Sequence, residues 1–390
     1  MHTMQFSRPF LFRFNPNDVN QKGILLSKRV IVIGAGIIGA SIAWYLAKAG
    51  ADVTVVEAGE AGGVATPNSW AWINASWGNP EAYFRLRQRS MQEWKQMDRD
   101  VPGLNVDWCG GLLWDLPPDK LEDYAREYSA LGYGIQRVSR DEILQIEPNI
   151  QQAPDWALHV AEEGKVEPLP TALAFLAGAQ ALGATVLSNT PVRWLQEKNA
   201  HVTGIAINDG VLHADEVVIA AGQGTPALLE SIGFSIDLVA PPGLLVHSVP
   251  CRELLHGLVM APELHVRQTS EGRLVAGSDF SGTVAVDDVD AAAMELYDKV
   301  QAMVAGAEQV VMDFHTLGYR PTPADGFPMI GRTKDCKGLY LTVMHSGVTL
   351  APAVGLFTAR ELLDNKRDEL IVPYHPDRLV NTPSLAAKVV

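Results

Sequence analysis

The stretch from Lys28 to Gly59, KRVIVIGAGIIGASIAWYLAKAGADVTVVEAG, constrains this chain more than any other. Arg29–Ile33 is a short apolar run rich in β-branched residues, the pattern of a strand buried on both faces of a parallel sheet. Gly34-Ala35-Gly36-Ile37-Ile38-Gly39 follows, then an apolar helix over Ala40–Ala49 that Gly50 ends, and a second strand over Asp52–Val56 closed by Glu57. Gly34 permits the tight turn, Gly36 leaves room for a pyrophosphate against the backbone, and Gly39 lets the helix lie close to the strand. Unpaired N–H groups at the helix start then face the phosphates, and the Glu57 carboxylate is placed to accept hydrogen bonds from a ribose diol. A chain built this way folds as α/β and holds a dinucleotide. The motif alone does not separate a flavin from a nicotinamide.

A chain of 390 residues is long for one domain, so two are expected. A net charge of −14 argues against nucleic acid and against an anionic membrane surface as partners. Cys109, Cys251 and Cys336 are scattered, without a C-x-x-C pair, which speaks against a disulfide framework or a zinc site and for a reducing cytoplasm. No metal site and no transmembrane segment are expected. Residues 1–27 read as an extension ahead of the first strand, with a weak peripheral membrane contact through Phe10, Leu11, Phe12 and Phe14 as the lesser reading.

Further along, Ala58–Gly78 is a loop of small residues and tryptophans, and such a loop after the second strand passes the cofactor. Trp70, Trp72 and Trp77 either wall a flat ring there or fill the core. Pro80–Asp100 predicts a helix with Tyr83, Leu86, Ser90, Trp94 and Met97 on one side. Val106–Leu116 predicts a pair of strands, Ser139–Ile146 a capped short helix, and Val192–Ala214 a meander. Glu216–Ala221 is a buried strand running into a glycine turn. Leu238–Val249, Leu258–Phe280 and Val311–Arg320 alternate as strands of a β-rich second module. Leu339–Val343 leads through Met344-His345-Ser346-Gly347 into a helix ending near Asn365.

Four blocks resemble the FAD-dependent D-amino acid oxidase superfamily, on the glycine oxidase and sarcosine oxidase side. They are the nucleotide unit with Glu57, GKVEPLPTALAFLAGAQALGATV, ADEVVIAAGQGT, and the long segment beginning LGYRPTPADGFPMIG. The resemblance spans about Lys28 to Asn365. It implies a glutathione-reductase-like FAD-binding Rossmann domain (28–105, 158–225 and 322–372) interleaved with a β-sheet-rich, α+β substrate domain (106–157 and 226–321). It implies that Gly34, Gly36, Ile37, Ile38 and Gly39 cradle the pyrophosphate and that Glu57 and Ala58 meet the adenosine ribose. Ala65, Thr66, Asn68, Ser69, Trp70 and Ala71 pass the isoalloxazine, Val192 meets the adenine, and Ala221 and Gly222 lie near the ribityl chain. His345, Ser346, Gly347, Val348, Thr349 and Leu350 close over the pyrimidine ring. Arg320 matches the arginine that holds a substrate carboxylate, a task suited to a bidentate guanidinium. His265 matches a strand position that points at the substrate, or is an ordinary sheet histidine, and His345 is a flavin neighbour or a pocket wall. Arg267 and Arg332 read as structural. The covalent-flavin cysteine of some relatives falls near Leu317, so the FAD is expected to be non-covalent. The lysine that promotes reaction with oxygen falls at Val275.

The function so implied is oxidation of the C–N bond of an amino acid or N-substituted amino acid. A hydride goes to flavin N5, and the imine formed hydrolyses to a carbonyl product and an amine. Oxygen, a quinone or a partner protein accepts the electrons. An amine dehydrogenase flavin subunit is one rival reading, and a flavin-binding protein without turnover is another. A 2-hydroxy acid substrate is a lesser variant, and homo- and hetero-oligomers are both left open.

Overall fold

The computed structural model describes residues 27–75, 78–278 and 288–380. The N-terminal aromatic residues and Trp77 lie outside them.

A six-stranded sheet forms the nucleotide unit. Its strands run in the order Met329–Arg332, Leu339–Val343, Glu216–Ile219, Arg29–Ile33, Asp52–Val56 and Thr185–Leu187. All pair parallel except Met329–Arg332, which is antiparallel to its neighbour. Alternation along these strands sets the layers. Val30, Val32, Val53, Val55 and Val218 face one apolar core, while Ile31, Ile33, Val56, Val217 and Ile219 face another. The second core is covered by a three-stranded meander, Trp194–Glu197, Val202–Ile207 and Gly210–His213.

The eight helices among the described residues are α1 (Ile37–Lys48), α2 (Glu81–Asp100), α3 (Pro118–Ala130), α4 (Arg140–Ile146), α5 (Pro168–Ala181), α6 (Thr225–Glu230), α7 (Val289–Met303) and α8 (Gly347–Asp364). Helix α1 packs on α5 and α8, and α2 packs on α8. At the α1–α8 crossing a Cβ on Gly355 would lie 2.5 Å from Ser41 Oγ, so only glycine permits this approach. No helix among the described residues is long and apolar enough to cross a membrane.

Pro352 interrupts α8. It has no N–H to give to the carbonyl four residues earlier, and its ring disturbs the ladder. The carbonyls of Val348 and Thr349 freed from the ladder are instead taken by the Trp94 indole N–H at 3.1 Å each, and Ser90 Oγ accepts the Ala353 N–H at 3.2 Å. Helix α2 thus sets the position of the first turn of α8. Trp94 is 0% exposed, so its replacement by alanine costs about 3–5 kcal/mol.

The second module is an eight-stranded sheet, ordered Met312–Tyr319, Pro242–Ser248, Leu274–Gly277, Leu264–Gln268, Leu258–Ala261, Gly111–Leu113, Trp156–Val160 and Ile135–Ser139. Leu245, Leu258, Met260 and Val275 face the nucleotide unit, and Leu244, Val246, Val259, Val266 and Ala276 face α7. The strand pair expected over Val106–Leu116 does not form. Gly111–Leu113 inserts between Leu258–Ala261 and Trp156–Val160, while Asp107 bridges Lys165. A boundary between residues 157 and 158 would fall inside Trp156–Val160, which pairs as one strand over all five residues. The capping box of Ser139 and Glu142 forms as expected.

Candidate functional site

The chain folds both sheets around one cavity of about 990 Å³, within the range of a site for a large ligand. Of the cofactor-contact residues expected from the sequence, all line it except Gly39 and Leu350. Gly39 lies beneath it: a Cβ there would stand 2.0 Å from the Gly34 carbonyl oxygen, so this glycine sets the closeness of strand and helix. Leu350 is fully buried within α8.

At the nucleotide end, Gly34 has φ +106, and a Cβ would lie 2.4 Å from the Ala220 carbonyl oxygen. No other residue fits that turn without distortion. Thr66 Oγ1 accepts the Ile37 N–H at 3.0 Å, tying the 65–71 loop to the first turn of α1. Glu57 Oε2 accepts the Ala35 N–H at 2.8 Å, and Oε1 accepts the Gly59 N–H at 3.2 Å. A carboxylate has about four acceptor positions, so two remain for the hydroxyls of a ribose diol. The glycine turn, the spare carboxylate lone pairs and the size of the cavity together fit a flavin dinucleotide.

At the other end stands Arg320, at the close of strand Met312–Tyr319. Its carbonyl accepts the Gln223 side-chain N–H at 3.0 Å, and its own N–H reaches Pro241 O at 3.3 Å. Its guanidinium lies across Gly243, where a Cβ would be 2.8 Å from Nη2. Gly243, Leu244, Leu245, Gly277, Gly318 and Tyr319 line the cavity around it. Trp70 and Trp72 are also in the wall, and the Trp70 indole donates to Val275 O at 3.2 Å.

His345 is placed by both ring nitrogens. Nε2 meets the Gly326 carbonyl at 2.8 Å, and Nδ1 meets Ser346 Oγ at 2.8 Å. A carbonyl only accepts, so Nε2 carries the proton and Nδ1 accepts from the serine hydroxyl. Burial, reinforced by the Arg87 and Arg320 cations, lowers the histidine to about 4, so the ring is neutral at physiological pH. It pins the turn that follows Arg320. Ser346 itself takes the left-handed conformation, φ 57, at the N-cap of α8.

Of the two readings of His265, its position agrees with the sheet histidine and not with a residue facing the cavity. It is buried but does not line the cavity. Its Nε2 lies 3.2 Å from Asp115 Oδ2, and its ring lies behind Trp70 at 6.1 Å. The tryptophan occupies the wall position that the strand register alone would assign to the histidine. Val275 is likewise buried and outside the lining, and none of the three cysteines lines the cavity. Arg267 is structural: its Nε donates to Trp70 O at 2.7 Å, and its guanidinium forms a two-point ion pair with Glu167 at 3.0 and 3.3 Å. Arg332 pairs with Glu216.

Sequence reasoning missed Arg87. It lines the cavity from α2 while only 6% exposed, donating to Asn74 O, Asn74 Oδ1 and Ser346 Oγ. A signal was present: Tyr83, Arg87, Ser90, Trp94 and Met97 recur at helical spacing, which sets a cation on the buried face.

The chain as a whole resembles known proteins in sequence and in fold. The profile of a family described as FAD dependent oxidoreductase (DAO) matches residues 29–361. A glycine oxidase from Bacillus licheniformis is 29% identical over 348 residues, which is 86% of this chain and 93% of that protein. A glycine oxidase from Pseudomonas aeruginosa is 28% identical, covering 90% of this chain and 99% of its own. Among solved structures, the L-proline dehydrogenase from P. horikoshii superposes with a TM-score of 0.82 at 23% identity, covering 90% of this chain and 97% of its own.

Proposed function

Because the chain belongs to the DAO family of FAD-dependent oxidoreductases, we propose that this enzyme oxidises the C–N bond of an amino acid or N-substituted amino acid whose carboxylate is held by Arg320. The observation that carries this reading is the position of the Arg320 guanidinium in the wall of the cavity that begins at the Gly34–Gly39 turn. A planar two-pronged donor fixes the carboxylate and with it the face of the α-carbon presented to the ring. The similarity to glycine oxidases agrees with a substrate of this class.

Bound FAD would supply the two-electron acceptor for the hydride that leaves the substrate carbon next to nitrogen, and the imine so formed would take up water to give a carbonyl product and an amine. The chain's residues position and exclude water. Trp70 and Trp72 wall the cavity, Arg320 sets the substrate, and His345, a neutral ring near physiological pH with both nitrogens engaged, holds the turn beside it. The absence of cysteines from the cavity wall supports non-covalent FAD. The six-stranded unit is the cofactor domain in this reading, and the eight-stranded sheet carries the substrate side.

The test is anaerobic mixing of the yellow holoenzyme with a panel of D-, L- and N-alkyl amino acids, followed by air. Bleaching by one class supports the reading, and failure of every carboxylated amine to bleach contradicts it. Rapid recolouring identifies oxygen as acceptor. Slow recolouring identifies a dehydrogenase that passes its electrons to a quinone or partner protein.

A further inference from the structure

Three Lys or Arg side chains are buried among the described residues: Arg87, Lys165 and Arg267. Lys165 pairs with Asp107 at 2.6 Å and Arg267 with Glu167 at 3.0 Å. Arg87 has only neutral acceptors among the described residues: the carbonyl and side-chain oxygen of Asn74, at 3.1 and 2.6 Å, and the Ser346 hydroxyl at 3.0 Å. A buried cation without an anion is strongly unfavourable, and proteins pair or neutralise such charges. Arginine does not lose its proton. Three of its five N–H donors are used, and the residue lines the cavity beside Ser346 and Gly347, where the N-terminal end of α8 also presents positive potential. The anion therefore comes from what the cavity holds.

We propose that Arg87 is the counter-charge to the reduced flavin, holding the negative charge that the pyrimidine end of the ring acquires on reduction. This rests on the flavin reading but not on the identity of the substrate. Hydride addition brings two electrons and one proton to a neutral ring, leaving one net negative charge. A guanidinium already fixed by three hydrogen bonds meets that charge without rearrangement. Arg87 thereby favours the reduced cofactor over the oxidised one and raises its potential.

The test is the two-electron midpoint potential of the bound flavin, measured by dye equilibration with a chemical reductant and no amine substrate. A substrate assignment that fails leaves this measurement intact, and a protein that binds no FAD fails before it begins. Arg87→Gln is expected to lose roughly ten- to hundredfold of the preference for the reduced form, a fall of about 30–60 mV at about 30 mV per tenfold. Arg87→Lys is expected to retain most of the potential. An unchanged potential in Arg87→Gln overturns the proposal. So does an unchanged potential accompanied by weaker binding confined to dianionic substrates, which would put a second substrate carboxylate on Arg87. Should Arg87→Gln not fold, the wild-type value decides: the proposal requires a potential above that of free FAD, and a value at or below it overturns the proposal.

Discussion

Gly243→Ala isolates the placement of Arg320 from its charge. Gly243 sits on strand Pro242–Ser248 without a left-handed backbone, so alanine introduces no backbone strain there. The added Cβ would lie 2.8 Å from Arg320 Nη2 and 3.4 Å from Cζ, and ordinary contact begins at 3.4 Å. The guanidinium, as the far end of a flexible side chain, moves by about 0.6 Å or more while the strand stays in place. Displacements approaching 1 Å in a positioning group cost about a hundredfold. The expected loss in kcat/KM for the carboxylated amine is therefore about 10–100-fold, or about 1.4–2.7 kcal/mol. The melting temperature and FAD content should match wild type, because Gly→Ala at a compatible site does not destabilise. Steady-state kinetics beside thermal unfolding separate the two effects. An unchanged kcat/KM would refute the placement of Arg320, and a loss matched by unfolding would refute the claim that the substitution is local.

Glu57→Ala removes the acceptor of the Ala35 and Gly59 amides along with that of the ribose, and apoprotein titration should show FAD binding weakened by about tenfold or more. Glu167→Ala leaves the buried Arg267 guanidinium without its carboxylate and should destabilise the fold by about 3–5 kcal/mol in denaturant unfolding. His345 has its folded value lowered from 6.5 to about 4, so between these pH values the unfolded chain binds the proton and the folded chain does not. Stability therefore falls as pH drops from about 6.5 to about 4, and His345→Gln should flatten part of that slope in melting curves. His247, lowered to about 4 chiefly by burial, and His159, also lowered by burial, keep part of the slope.

The nucleotide unit was legible because its signals are local. Strand, glycine turn, helix and Glu57 lie within one stretch, and each glycine has its own steric reason. The meander expected over Val192–Ala214 was legible for the same reason, its strands Trp194–Glu197, Val202–Ile207 and Gly210–His213 being joined by short local turns. The strand Gly111–Leu113 was legible as a strand but not in its pairing, since its partner Leu258–Ala261 is far along the chain and so short a run does not identify its neighbours. The two readings of His265 could not be separated because strand alternation gives the sheet face but not what lies in front of it, and Trp70 arrives there from another part of the chain. Arg87 sat in the run Arg85-Leu86-Arg87-Gln88-Arg89, which reads as a solvated face until the helical register of Tyr83 and Trp94 is applied to each arginine in turn. The link from Trp94 to the broken α8 ladder depends on packing that no local pattern records.

The most direct measurement compares anaerobic flavin reduction by a carboxylated amine with reduction by the matched amine lacking the carboxylate, in wild type and in Arg320→Met. If Arg320 holds the carboxylate, wild type prefers the carboxylated amine by about a hundredfold or more, as expected for a charge-assisted two-point contact, and Arg320→Met loses that preference while its FAD spectrum is unchanged. A variant that still discriminates between the two amines would contradict the account.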